Sequence, residues 1–154
     1  MTLSTETKQA ACAATRTRAA ALARSWIGTP YHHQASLKGV GTDCLGLVRG
    51  VWRELYGRDA EAPPAYTPDW VEAGCQETMI EAAQRHLLAV ALSDVGAGDV
   101  IIFRLKLTMV AKHAGLVTGP AHFVHAVEGV PVAEVALSPW WQRRIAAAFR
   151  FPEV

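Results

Sequence analysis

Cys44, His113 and His125 are the side chains of this sequence whose types could perform covalent chemistry together. The turn-rich run Gly39–Thr42 delivers Asp43-Cys44 to the start of a segment with apolar residues at 45, 47, 48, 51, 52, 55 and 56. That spacing fits a helical period and not alternation, and Gly57 is a stop signal just beyond it. A thiol on the first turn of a helix meets unpaired N–H groups and the positive end of the helix dipole, which favour the thiolate. Cys44 is therefore expected to be a nucleophile of lowered pKa, more reactive than Cys12 or Cys75.

A nucleophile needs a base. His113 and His125 lie in two short apolar runs, 113–118 and 122–127, separated by Gly119-Pro120. A hairpin loop of the three residues 118–120 would set His113 directly opposite His125, on one face, with Cβ atoms ~5 Å apart. A two-residue loop would send them to opposite faces. In the first register the other face carries Ala114, Leu116, Val124 and Ala126 and suits a core. The chemistry would then be thiol hydrolysis. The thiolate attacks a carbonyl, one histidine moves the proton, and the second fixes the tautomer of the first. Amides at the helix start could hold the oxyanion. A zinc site made of the same three residues is the competing use, although their spacing is unusual for zinc ligands.

The positioning elements follow from the pattern. Residues 5–27 read as an alanine-rich helix that ends at Gly28-Thr29-Pro30. Residues 58–70 contain three prolines and read as a loop. A further helix is expected from about residue 76 to 92, with Cys75 and Gly74 at its start. From Gly98 onward the pattern changes to strands: 99–105, 113–118, 122–127, 132–137 and 144–151, with a turn at Pro139-Trp140-Trp141. Helices followed by strands predict an α+β domain, with helices on one side of an antiparallel sheet.

The chain has 154 residues, a formal net charge of +1 and 51% hydrophobic residues. These values suit one folded domain spanning 1–154, with an N-terminal helix in 1–27, the nucleophile loop and helix in 28–57 and the sheet in 98–151. They point away from nucleic acid and from anionic membranes. Three cysteines without a CxxC pair suit a reducing compartment. The reading expects neither a secretory leader nor a membrane span, and neither a metal nor a cofactor.

Five stretches occur in a telling order: Gly28-Thr-Pro-Tyr31, Gly41-Thr-Asp-Cys-Leu-Gly46, Gly98-Asp-Val-Ile-Ile-Phe103, Lys112-His-Ala-Gly-Leu116 and Phe123-Val-His-Ala126. Together they resemble the NlpC/P60 cell-wall peptidases over about residues 20–151. The stretches Tyr31–Ser36 and Pro63–Trp70 resemble the small single-domain members encoded in phage tail modules and gene transfer agents. The resemblance implies a papain-like α+β fold and cleavage of peptidoglycan stem peptides, commonly at a γ-D-glutamyl–diamino acid bond. It makes Cys44 the nucleophile, His113 the base and His125 the orienting residue, and puts Tyr31 in the wall of the site. Asp43 precedes the nucleophile in the motif and also reads as a helix N-cap. Leu45 stands where many relatives have serine. The implied partners are stem peptides and the tail tip of a phage-like particle, which would carry the protein to periplasmic peptidoglycan. Docking would use the Pro139–Trp141 turn or the loop around Tyr66 and Trp70. The alternatives are a structural baseplate protein of the same fold, or a related cysteine amidase or acyltransferase.

Overall fold

The computed structural model describes residues 2–62, 77–106 and 108–154. The expectations for Tyr66, Trp70, Gly74 and Cys75 lie outside these residues. Helix α1 (Thr5–Ser25) begins at Ser4, whose hydroxyl accepts from the Thr7 amide at 3.2 Å. It buries the small residues Thr15, Ala19, Ala20 and Ala23, so its backbone can lie close to the sheet. The hairpin β1 (Ser36–Leu37) and β2 (Gly41–Thr42), absent from the sequence reading, leads into α2 (Cys44–Tyr56), with Gly57 in the left-handed conformation as its cap. Helix α3 (Thr78–His86) is shorter than expected. The chain leaves it at Leu87 and forms strand β3 (Leu88–Val90), because Leu88 to Val90 pair with the edge of the sheet instead of continuing the helix.

The remaining strands are β4 (Asp99–Phe103), β5 (His113–Gly119), β6 (His122–His125), β7 (Ala133–Ala136) and β8 (Ile145–Arg150). They form one antiparallel sheet in the order β3-β8-β4-β5-β6-β7. Strand alternation divides its side chains between two apolar clusters. Val100, Ile102, Ala114, Leu116 and Val124 join Leu47, Val51 and Trp26 beneath the helices. Ile101, Phe103, Val117, Phe123 and Ala148 form the cluster on the other face. That second face is not left open: the expected turn at Pro139 is a short helix, α4 (Pro139–Gln142), whose Trp141 packs there. The helices are therefore not confined to one side. Among the described residues no helix is long and apolar enough to cross a membrane.

One buried charge fastens the sheet. Asp99 is fully buried, and its carboxylate accepts from Arg150 Nε at 2.8 Å, Arg150 Nη2 at 2.9 Å and the Gly96 amide at 3.0 Å. Arg16 of α1 stands 3.7 Å away. The fork joins β4 to β8 at the point where α1 crosses them. Replacing Arg150 strands a buried carboxylate, a defect that typically costs ~3–5 kcal/mol. Arg150→Ala should lose stability of that order in urea unfolding, whereas Arg150→Lys should recover only part of it, because a point charge cannot reproduce the fork.

Candidate active site

The site starts from an acid that holds a loop against a helix. Asp43 is the N-cap of α2, and its Oδ1 accepts from the Gly46 amide at 2.7 Å. Its Oδ2 accepts from the Gln34 amide at 2.8 Å, with His33 Nδ1 3.9 Å away. Gln34 is the one non-glycine residue with positive φ among the described residues, at 63°, a conformation that costs roughly 1–2 kcal/mol. Its bond to Asp43 offsets that cost. Gly46 allows the loop to come this close: a Cβ there would stand 1.9 Å from the Ala35 carbonyl oxygen. Asp43 thus acts as the cap that its position suggested, and it also binds the lead-in to the helix.

This arrangement places Cys44 on the first turn of α2, against the start of β5. Its Sγ lies 3.8 Å from the carbonyl oxygen of Lys112, and the Ala114 amide also donates toward it. Lys112 and Ala114 flank His113, so the thiol is set against the backbone on both sides of that histidine. Among the described residues, no hydrogen bond joins the thiol to the His113 ring itself. Tyr31 bridges Thr42 and packs beside Cys44 on the helix-side core. Its phenol is raised to about 12 by burial first, then by Asp43 and Cys44. Tyr31 therefore lies beside the Cys44 thiol.

The two histidines do meet, although not in the expected register. Gly115 pairs with His125 and Gly119 with His122, so His113 is diagonal to His125 and not opposite it. The hairpin tip has only the two residues Pro120 and Ala121. The parity survives because the register shifts between Val117 and Gly119, and this bulge absorbs one residue. Both rings stay on one face and reach each other along the diagonal: His113 Nε2 lies 2.9 Å from His125 Nδ1. Both are buried. Their nitrogens are turned to each other and not to a shared metal vertex, and among the described residues no group of three His, Cys, Asp or Glu is arranged to hold a metal ion.

The electrostatics reverse one expectation. Backbone N–H groups near the helix start do lower the Cys44 pKa, but the desolvation of this half-buried residue and the neighbouring Asp43 act against them and raise it to about 11. Desolvation disfavours the thiolate more than the helix end favours it. Burial also pushes His113 well below the usual histidine range, with His125 adding to the effect, and burial pushes His125 down too. Each of these shifts favours the neutral form of its group.

The sequence reading missed the surroundings of the pair. The ring of Trp141 lies 5.7 Å from His113 and 5.2 Å from His125, and Phe103 stacks on His113 at 5.7 Å. Glu77 was also missed. It accepts from the Ala111 amide at 2.9 Å and pairs with Arg104, so it pins both ends of the connection that leads into Lys112 and His113. The Trp140-Trp141 doublet was a visible signal, but it read as a docking turn. Only Trp140 is substantially exposed, at 45%, while Trp141 packs inward.

A helix-start cysteine set against a strand whose histidine is bonded to one on the next strand, in an α+β domain, defines a papain-like fold. The sequence model of the NlpC/P60 family matches residues 28–150. The chain belongs to the NlpC/P60 family, whose members are cysteine peptidases and hydrolases. Its fold is similar to the NlpC/p60 domain of the peptidoglycan hydrolase SagA, with a TM-score of 0.61 and 23% identity over 88% of this chain and 98% of that one. It is also similar to NlpC2 from Trichomonas vaginalis, with a TM-score of 0.66 and 19% identity over 89% of this chain and 46% of that one. Among curated proteins it is 28% identical over 130 residues to gamma-DL-glutamyl hydrolase of Bacillus subtilis (strain 168), covering 84% of this chain. The chain spans 28% of the length of that relative.

Two outcomes follow from these environments. Alkylation of Cys44 by iodoacetamide, read by peptide mapping, should be slow at neutral pH and climb through the alkaline range. A plateau already reached by pH 6 would show a thiolate that this packing does not support. The histidine pair makes stability depend on pH. Unfolded histidines titrate near 6.5 and the folded pair lower, so in that window the unfolded chain binds more protons. Stability then rises with pH through the window and is lost as pH falls below about 6.5. The urea midpoint should drop between pH 7 and pH 5, and it should drop less in His125→Asn.

Proposed function

We propose that this chain is a cysteine hydrolase of peptidoglycan stem peptides that cleaves a γ-D-glutamyl–diamino acid bond. Cys44 serves as nucleophile, His113 as base and His125 as the residue that orients it. The observation that carries this reading is the placement of Cys44 Sγ against the backbone flanking His113, whose ring is bonded to His125. Membership of the family supports the reaction class, and the similarity to a gamma-DL-glutamyl hydrolase supports the γ-glutamyl preference.

The histidine bond sets the direction of proton flow. If His113 Nε2–H donates to His125 Nδ1, then His113 Nδ1 keeps its lone pair and can accept a proton. The opposite tautomer would leave His113 with no vacant nitrogen. With both partners neutral, the base removes the thiol proton as sulfur attacks the carbonyl carbon, so no ion pair needs to form beforehand. The imidazolium then gives that proton to the departing amine, which leaves a thioester on Cys44. Water attacks the thioester with the same base and releases the acid. Amides at the start of α2 are the candidate donors to the oxyanion. Tyr31 forms the neighbouring wall.

The tail association belongs to the same proposal. It rests on the resemblance of the 31–36 and 63–70 stretches to peptidases of phage tail modules and gene transfer agents. Particles purified from the producing cell should contain the chain by mass spectrometry, with crosslinks to tail-tip proteins. Finding it only free in the cell extract would remove that part and leave the hydrolase reading intact.

Mass spectrometry of muropeptides digested with the wild type and with Cys44→Ala tests the activity, the nucleophile and the bond together. The wild type should split the γ-D-glutamyl bond and Cys44→Ala should not. His113→Ala should lose ~10²–10⁴ in rate, and His125→Asn should lose less, because an amide can still accept from the ring. Equal losses in the two variants would reassign their roles.

A further inference from the structure

We propose that Trp141 is a positioning residue for the histidine pair: α4 sets its indole against both imidazoles, which keeps the rings in their hydrogen-bonded orientation and shields them from water. Four ring contacts carry the argument. The indole is tilted 32° to His113 and stands edge-on to His125 at 87°, and it packs on Phe103 at 4.9 Å and on Phe123 at 5.3 Å. Phe123 in turn meets His125 edge-on at 4.7 Å. The pair is joined by one hydrogen bond along a strand diagonal, a geometry that leaves each ring able to rotate unless something fills the adjoining space. The aromatic cluster fills it, and Trp141 is the member that touches both rings and comes from outside the sheet.

A four-residue helix has little stability of its own, so α4 must be fixed from elsewhere. Arg144 does this. Its guanidinium lies 3.6 Å over the Trp140 ring, donates to the Trp140 carbonyl at 2.8 Å and to the Leu105 carbonyl at 3.3 Å, and its own carbonyl accepts from the Arg104 amide at 2.8 Å. The connection after β4 and the end of α4 are thereby locked together over the histidines. Trp140 meets Trp141 at 84°, which passes that restraint to the indole.

The titratable groups around the pair do not supply this effect themselves. The elements beside it carry Cys44 on α2, Arg104 after β4, Lys112 before β5, and Arg143 and Arg144 after α4. The nearby carboxylates are committed elsewhere: Asp43 to the Gln34 and Gly46 amides, Glu77 to Arg104 and Ala111, and Glu134 to Arg24. Glu128, past β6, acts on Tyr31. The lowered basicity of both rings is consistent with exclusion of water, its first cause in each.

The test uses the full chain with Trp141→Leu, Trp141→Phe and Arg144→Met. Histidine ring nitrogen NMR across pH reports the titration and tautomers of the pair, and the pH profile of muropeptide turnover reports its use. In Trp141→Leu the pair should titrate about one pH unit or more higher. The acid limb of kcat/KM should move with it, and KM should change little. Trp141→Phe should restore most of the wild-type titration, and Arg144→Met should shift it in the same direction as Leu but less. A folded Trp141→Leu that titrates like the wild type would overturn the proposal even if its Tm fell, because a purely structural residue would give that result. If Trp141→Leu does not fold, an unshifted titration in Arg144→Met would overturn it. The activity arm rests on the proposed hydrolase function, whereas the NMR arm does not. A protein without muropeptide turnover would count against that function and leave the titration to decide the role of Trp141.

Discussion

Both carboxylate oxygens of Asp43 are bound to backbone amides nine residues behind it and three ahead, and the geometry of the site depends on this. One bond starts α2 and the other stops the 31–35 loop from leaving it. Without the first, the helix would lose the cap that orients its opening turn, and Cys44 sits on that turn. The second also offsets the cost of the left-handed conformation of Gln34. The constraint also requires a glycine at 46, because the Ala35 carbonyl occupies the space that a side chain would need. The order Asp-Cys-x-Gly is thus a packing solution as much as a chemical one.

Strand β5 is the other half of the arrangement. It lies in the middle of the sheet, and every residue from His113 to Thr118 is buried. Ala114 and Leu116 face the helices, while His113 faces the opposite cluster. A central, doubly covered strand can place a polar ring accurately because its backbone has little freedom, but burial makes that ring a weak base. The His125 bond compensates in geometry and not in charge. It gives the ring a partner and a tautomer without bringing a carboxylate into an apolar site, where an unpaired charge would be costly.

The sequence showed most of this framework because the signals were periodic or local. The helix after Cys44, its Gly57 stop, the Asp43 cap and all five strands after Gly98 follow from apolar spacing and turn residues, and their bounds shift by a residue or two. The failures have physical causes. Leu88 to Val90 continued an apolar pattern, so the strand they form reads as helix until its partner β8 is known. The β1–β2 hairpin is too short to show a period. The histidine register turned on a bulge at Thr118, and no residue in Val117-Thr118-Gly119 announces one. The environment of the site was the least legible part. Trp141 and Glu77 act across 16 to 34 positions of chain, and a doublet of tryptophans looks the same whether one ring faces solvent or both do.

The raised pKa of the thiol is the last consequence of this packing. A helix start is usually taken to make a cysteine reactive, and here its amides do pull in that direction. Yet the packing that positions this half-buried residue limits the water that would solvate a thiolate, and Asp43, needed for the cap, adds a negative charge next door. Position and activation therefore compete for the same atoms. A site built this way would gain its charge separation only when a substrate carbonyl is in place to accept the electron pair, since attack turns the sulfur's developing charge into a covalent bond and moves the charge to an oxygen that amides can hold. Stabilisation would then fall on the transition state more than on the free enzyme, and a cysteine kept as a thiol between turnovers would be less exposed to oxidation and stray alkylation.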